Sequence, residues 1–129
     1  MSQSLLDQYR PNLLPYEELY KHFHTNPELS ELEEETAKTI AEHLTKLSPD
    51  LQIATNIGGF GVIAVCRNGP GKTVLLRADF DALPIAEKTG LEYASTKKMR
   101  DVSGDLKPVM HGILLYQRLR NTSDNKEHH

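Results

Sequence analysis

A single cysteine, Cys66, excludes an internal disulfide framework and a cysteine-rich structural zinc site. A basic excess is also missing: fifteen Lys and Arg face eighteen Asp and Glu, for a net charge of −3. Nothing is left over to neutralise a phosphate backbone, so nucleic acid is not an expected partner. Apolar runs last only a few residues, so no membrane span is expected. Met1-Ser-Gln-Ser-Leu5 lacks the positive-then-apolar pattern of a secretory leader, and a cytoplasmic address is expected. What remains is ordinary for a soluble globular chain: 129 residues, 38% hydrophobic and 26% charged, with a mean hydropathy of −0.50. That length suits one small domain or a piece of one.

Residues 1–14 carry no clear period and read as a loose arm. Pro15 suits the first turn of a helix, and Tyr16, Leu19, Tyr20 and Phe23 repeat at helical spacing. Pro27 ends that helix, which is predicted over 15–24. Ser30 and Glu33 form a Ser-x-x-Glu capping box, which predicts a second helix over 30–48. Glu31, Glu33, Glu34 and Glu35 then sit where the helix dipole favours negative charge, and a solvated helix start explains them better than an acidic binding patch. Ala37, Ile40, Ala41, Leu44 and Leu47 make one apolar face, and Pro49 closes the helix.

The pattern then changes to strands. Leu51–Ile57 alternates apolar and polar side chains, and Gly58, Gly59 and Gly61 break it. Gly61–Arg67 is almost continuously apolar and reads as a buried strand, with Cys66 as an inert core thiol. Asn68-Gly-Pro-Gly71 marks a turn, and Lys72–Ala78 reads as a further strand, paired with the previous one in an antiparallel hairpin. Residues 84–108 lack a sustained period and read as an extended loop. Ile113-Leu-Leu-Tyr116 suits one or two helical turns, and residues 120–129 are expected to fray.

Gly58-Gly-Phe-Gly61 does not fit a dinucleotide loop, because a strand follows it and the spacing is wrong; a tight turn between strands is the reading. Arg77-Ala-Asp-Phe-Asp-Ala-Leu-Pro84 is more informative. Asp79 and Asp81 stand where an apolar strand ends, a usual place for active-site groups in α/β proteins. They suit metal binding or the orientation of a metal-ligating histidine. They equally suit capping of the following turn, which the pattern alone favours. His22 and His24 lie two apart and point away from each other, and His43 reads as a partly exposed surface residue.

Further motifs carry a resemblance. His24-Thr-Asn-Pro-Glu-Leu-Ser30 and Glu35-Thr-Ala-Lys38 are followed by Ile57-Gly-Gly-Phe-Gly-Val62, Asn68-Gly-Pro-Gly71 and Leu76-Arg-Ala-Asp-Phe-Asp-Ala-Leu-Pro-Ile85. Lys88-Thr-Gly-Leu91, Tyr93-Ala-Ser95 and Lys107-Pro-Val-Met-His111 continue the series. In order and spacing these resemble the N-terminal part of the metal-dependent amidohydrolases of peptidase family M-twenty. The subgroup is that of hippurate hydrolase, N-acyl-amino-acid deacylases and auxin-conjugate hydrolases. The resemblance implies an α/β fold: the incomplete N-terminal part of a zinc-peptidase-like catalytic domain over 15–111, with two helices and about three strands. It also implies amide hydrolysis of N-acyl amino acids with two divalent metals, zinc or manganese, in the intact family.

The pattern breaks after His111. The family continues into Ala-Cys-Gly-His-Asp, whose cysteine and second histidine are ligands, whereas this chain continues Gly112-Ile-Leu-Leu115. His111 matches the first histidine, which is not the usual ligand. Residues 112–129 thus read as a non-family tail, and no metal ligand or cofactor-binding residue carries over. Asp81 is the one active-site match, supporting the metal centre by resemblance, with Asp79 the weaker candidate. The leading expectation is a truncated amidohydrolase, inactive alone. A second is a non-catalytic fragment that binds a full-length relative or a small ligand. A third is a rearranged centre built from His22, His24, Asp79, Asp81 and His111.

Overall fold

The computed structural model describes residues 5–111 and 120–121. One helical turn, α1 (Leu5–Gln8), precedes two full helices, α2 (Leu14–Thr25) and α3 (Glu34–Leu47). Strands β1 (Gln52–Ile57), β2 (Gly61–Val65), β3 (Val74–Leu75), β4 (Lys98–Arg100), β5 (Leu106–Pro108) and β6 (Arg120–Asn121) follow. This is the expected α/β fold, a small partial domain of two helices and short strands. The expectation for Ile113–Tyr116 lies outside the described residues.

α2 forms as its sequence predicts, with Pro15 in the first turn. Asn26 closes it by donating from its backbone N–H and its Nδ2 to the His22 carbonyl, at 3.0 and 2.9 Å. α3 starts four residues later than the capping box predicts. Leu29 forms a parallel bridge with Ala82, so it cannot enter the helix. Glu31 then takes a left-handed φ of 70°, and Leu32 N–H turns back to the Leu29 carbonyl at 3.0 Å. Ser30 therefore caps nothing. The buried Glu28 carboxylate does that work from outside the helix, accepting the Thr36 N–H at 2.7 Å.

β1 and β2 form an antiparallel hairpin, with Ile53 opposite Ala64 and a bulge between Ala54 and Ile57. Its Gly58-Gly59 turn has φ values of 62° and 113°, which glycine adopts without steric cost. α3 packs against both strands. The predicted pairing of residues 61–67 with 72–78 is not formed: β2 pairs with β1, and β3 pairs with β6. The β1–β2 hairpin uses the tighter glycine turn, and β6 takes up the partner edge of β3. Arg120 and Asn121 are thus paired, contrary to the predicted fraying.

The buried-strand expectation for Gly61–Arg67 also fails. Ile63 and Val65 are exposed, and so is the free thiol of Cys66. Apolar composition predicts that a strand is coverable, and no described residue covers this face. Residues 84–108 are not one irregular loop, because β4 and β5 form a hairpin within them, with Met99 opposite Lys107. Three-residue strands are too short for a period of two to stand out in sequence.

The core joins distant segments. Leu29, Ala82 and Val109 are buried together, with Leu32 and Met99 packed on them. Ala82 N–H donates to the Glu28 carbonyl at 2.7 Å. Leu83 and Met110 exchange two backbone hydrogen bonds, at 2.9 and 3.0 Å. Both contacts hold the Arg77–Pro84 segment from its two sides.

Candidate functional site

The best-connected polar group is one that no sequence motif singled out: Glu87. Its side chain is fully buried, and its Oε1 accepts the His24 Nε2–H at 2.8 Å. Thr89 Oγ1 donates to the same oxygen, and the Ser95 N–H donates to Oε2 at 2.6 Å. Ser95 Oγ in turn donates to the Val109 carbonyl at 2.7 Å. One carboxylate thus ties α2 to the 87–95 segment, which Ser95 joins to Val109 in the core. Burial raises the Glu87 carboxyl pKa, but the hydrogen bonds from Thr89, His24 and Ser95 outweigh it and lower it to about 2.

His24 is buried beneath Tyr20 and Tyr93, whose ring centres lie 5.9 and 5.3 Å from its own. The carboxylate can only accept, so Nε2 carries the proton. The buried Nδ1 has no protein partner.

Asp79 and Asp81 lie at the end of the clamped segment. Asp79 lines an apolar groove of 420 Å³, together with Tyr20, Phe23, Val62, Phe80 and His111. Asp81 is half-buried. His111 is more than nine-tenths buried, and its Nδ1 is also unpartnered. Burial and the neighbouring His24 lower its pKa, against a backbone hydrogen bond at Phe80 and the charges of Asp81 and Asp79. Two aspartates and one histidine thus share an electrostatic neighbourhood.

The five residues of a rearranged centre do not come together. His24 Nε2 is committed to Glu87, and His22 lines a separate groove with Asn26, Glu35 and Lys97. As expected, His22 and His24 face apart. Among the described residues no group of three or more His, Cys, Asp or Glu could hold a metal ion. The donors among the described residues therefore do not make up a complete two-metal centre. Cys66 lines the exposed 65–74 loop region, away from these groups. Sequence reasoning missed Glu87 because it stands just before the Lys88-Thr-Gly motif. Its partner His24 lies 63 residues earlier in α2, so no local pattern signalled the pair.

No family model matches the chain. Individual relatives do. The Bacillus subtilis protein YhaA, named as an amidohydrolase, is 51% identical over 79 residues, covering 60% of this chain and 19% of its own. Hippurate hydrolase of Campylobacter jejuni is 39% identical over 84 residues, covering 64% and 21%. N-acetyldiaminopimelate deacetylase of Oenococcus oeni is 32% identical over 111 residues, covering 81% and 29%. The chain thus spans about a fifth to under a third of the length of these relatives. Two thermostable carboxypeptidases of Saccharolobus solfataricus also match, each 41% identical over 81 residues, covering 63% of this chain and 21% of their own. No helix among the described residues is long and apolar enough to cross a membrane. Over the part of their length that it spans, the chain is similar to amidohydrolases and N-acyl deacetylases.

Proposed function

We propose that this chain provides a scaffold portion of an amidohydrolase that cleaves the amide bond of N-acyl amino acids, and that it does not catalyse this reaction alone. The observation that carries the reading is the clamped Arg77–Pro84 segment. Backbone bonds from Glu28 and Met110 fix its end, and Asp79 and His111 meet at one groove. The names of hippurate hydrolase and N-acetyldiaminopimelate deacetylase support the substrate class.

Asp81 is the residue assigned to the support of a metal centre, with Asp79 second. Half-buried directly before the backbone clamps at Ala82 and Leu83, Asp81 has a fixed position from which to orient a neighbouring ligand. The described donors do not complete such a centre, and the chain carries Gly112-Ile-Leu-Leu115 where the family pattern has ligands. The intact family's zinc or manganese would therefore depend on donors from elsewhere.

The test is turnover of hippurate by the purified chain, with and without added zinc or manganese. No hydrolysis above background is expected. Metal-dependent turnover that is lost in Asp81→Ala would overturn the scaffold reading.

A further inference from the structure

The groove of 420 Å³ has the make-up of a small-molecule site: apolar and aromatic walls with a few polar groups. Tyr16, Tyr20, Phe23 and Phe80 bring four rings to one space. Two further groups set its polarity, and both accept hydrogen bonds. Asp79 brings a carboxylate, which has no proton to donate. His111 lines the groove while more than nine-tenths buried, and its Nδ1 has no partner among the described residues. Burial lowers the pKa of this ring, so it is uncharged at neutral pH. Its N–H is spent at the Phe80 backbone, which leaves Nδ1 as an acceptor in want of a donor. Among the described residues no lysine or arginine lines the groove.

We propose that this groove binds an aromatic amine, with the ring of the ligand among the four aromatic side chains and its ammonium between Asp79 and His111 Nδ1. The ammonium supplies the donors that both groups lack, and the aromatic faces attract its positive charge. A carboxylate of the same shape meets Asp79 with no cation to offset it, so the N-acyl amino acids of the scaffold reading are poor occupants. The groove is thus assigned a ligand class of its own, and the assignment does not depend on that reading.

The chain contains no tryptophan, so the fluorescence of tryptamine reports its binding directly. Saturable binding to the full chain at neutral pH is expected, with a dissociation constant at or below about 1 mM. Indolepropionate, which carries a carboxylate where tryptamine carries the amine, is expected to bind at least tenfold more weakly. Asp79→Asn is expected to weaken tryptamine about threefold and to narrow the gap between the two probes. Ala78→Phe places a bulky side chain at an exposed position on the groove wall, and is expected to weaken tryptamine at least tenfold. An unchanged helical circular dichroism signal verifies the fold of both variants. Four results would each overturn the proposal: no saturable binding, equal affinity for the two probes, tryptamine binding indifferent to both variants, or a homodimer of the chain that Ala78→Phe breaks. Binding is read without turnover, so hydrolysis of hippurate would overturn only the scaffold reading, and failure to bind tryptamine only the groove assignment.

Discussion

Glu28 supplies two bonds from one residue: its carbonyl fixes Ala82, and its carboxylate caps Thr36. Glu28→Ala leaves the Thr36 N–H buried and unpaired, and is expected to cost about 1–3 kcal/mol. Ser30→Ala removes no cap and is expected to fall within about 0.5 kcal/mol of the parent. Urea melts of the two variants check the pair, and equal losses would return the cap to Ser30. Cys66 is exposed, so it is expected to react fully with a maleimide in native buffer, without denaturant. Protection until unfolding would count against the exposed β2 end.

Two residues set the acid behaviour. The Glu87 carboxyl is lowered from its ordinary 4.5 to about 2, so the unfolded chain binds its proton first. The stability this group contributes is present above pH 4.5 and is lost as pH falls towards 2. His111 is lowered from 6.5, so acidification below 6.5 also favours the unfolded chain, which takes up the proton more readily. Urea melts across this range are expected to show two successive losses on acidification. His111→Asn is expected to flatten the upper one and Glu87→Gln the lower.

At the scale of elements, the β1–β2 turn depends on one glycine for space. A Cβ at Gly61 would run into the Ile57 carbonyl oxygen, which is backbone and cannot swing aside. Gly61→Ala is expected to destabilise the hairpin by about 1–3 kcal/mol, read as a fall in the urea midpoint. Gly59→Ala has open space around it but a φ of 113°, so its penalty is conformational only. The helices and this glycine turn were legible because they are signalled by neighbours: Pro15 in a first turn, Ala37–Leu44 on one face, Gly58-Gly59 at a reversal. The start of α3 was not, since a residue 53 positions away, Ala82, holds Leu29 out of the helix. The pairing of β3 with β6 escaped for the same reason. At the candidate site, a motif draws attention to Asp79 and Asp81, and the structure puts His111 in the groove that Asp79 lines. Glu87 could not, because its role depends on His24, 63 residues earlier.

Across the whole molecule, single backbone bridges join segments far apart in sequence: Leu29 to Ala82, and Leu83 to Met110. Amide hydrogens in such bridges open only when the segments part, whereas helix ends fray locally. The Ala82, Leu83 and Met110 amides are therefore expected to exchange with deuterium at the slowest, globally limited rate, more slowly than amides in the middle of α2. The protein would then record its own tertiary integrity at three amides. Their exchange rates would show whether a bound ligand tightens the whole chain or only the groove that it fills.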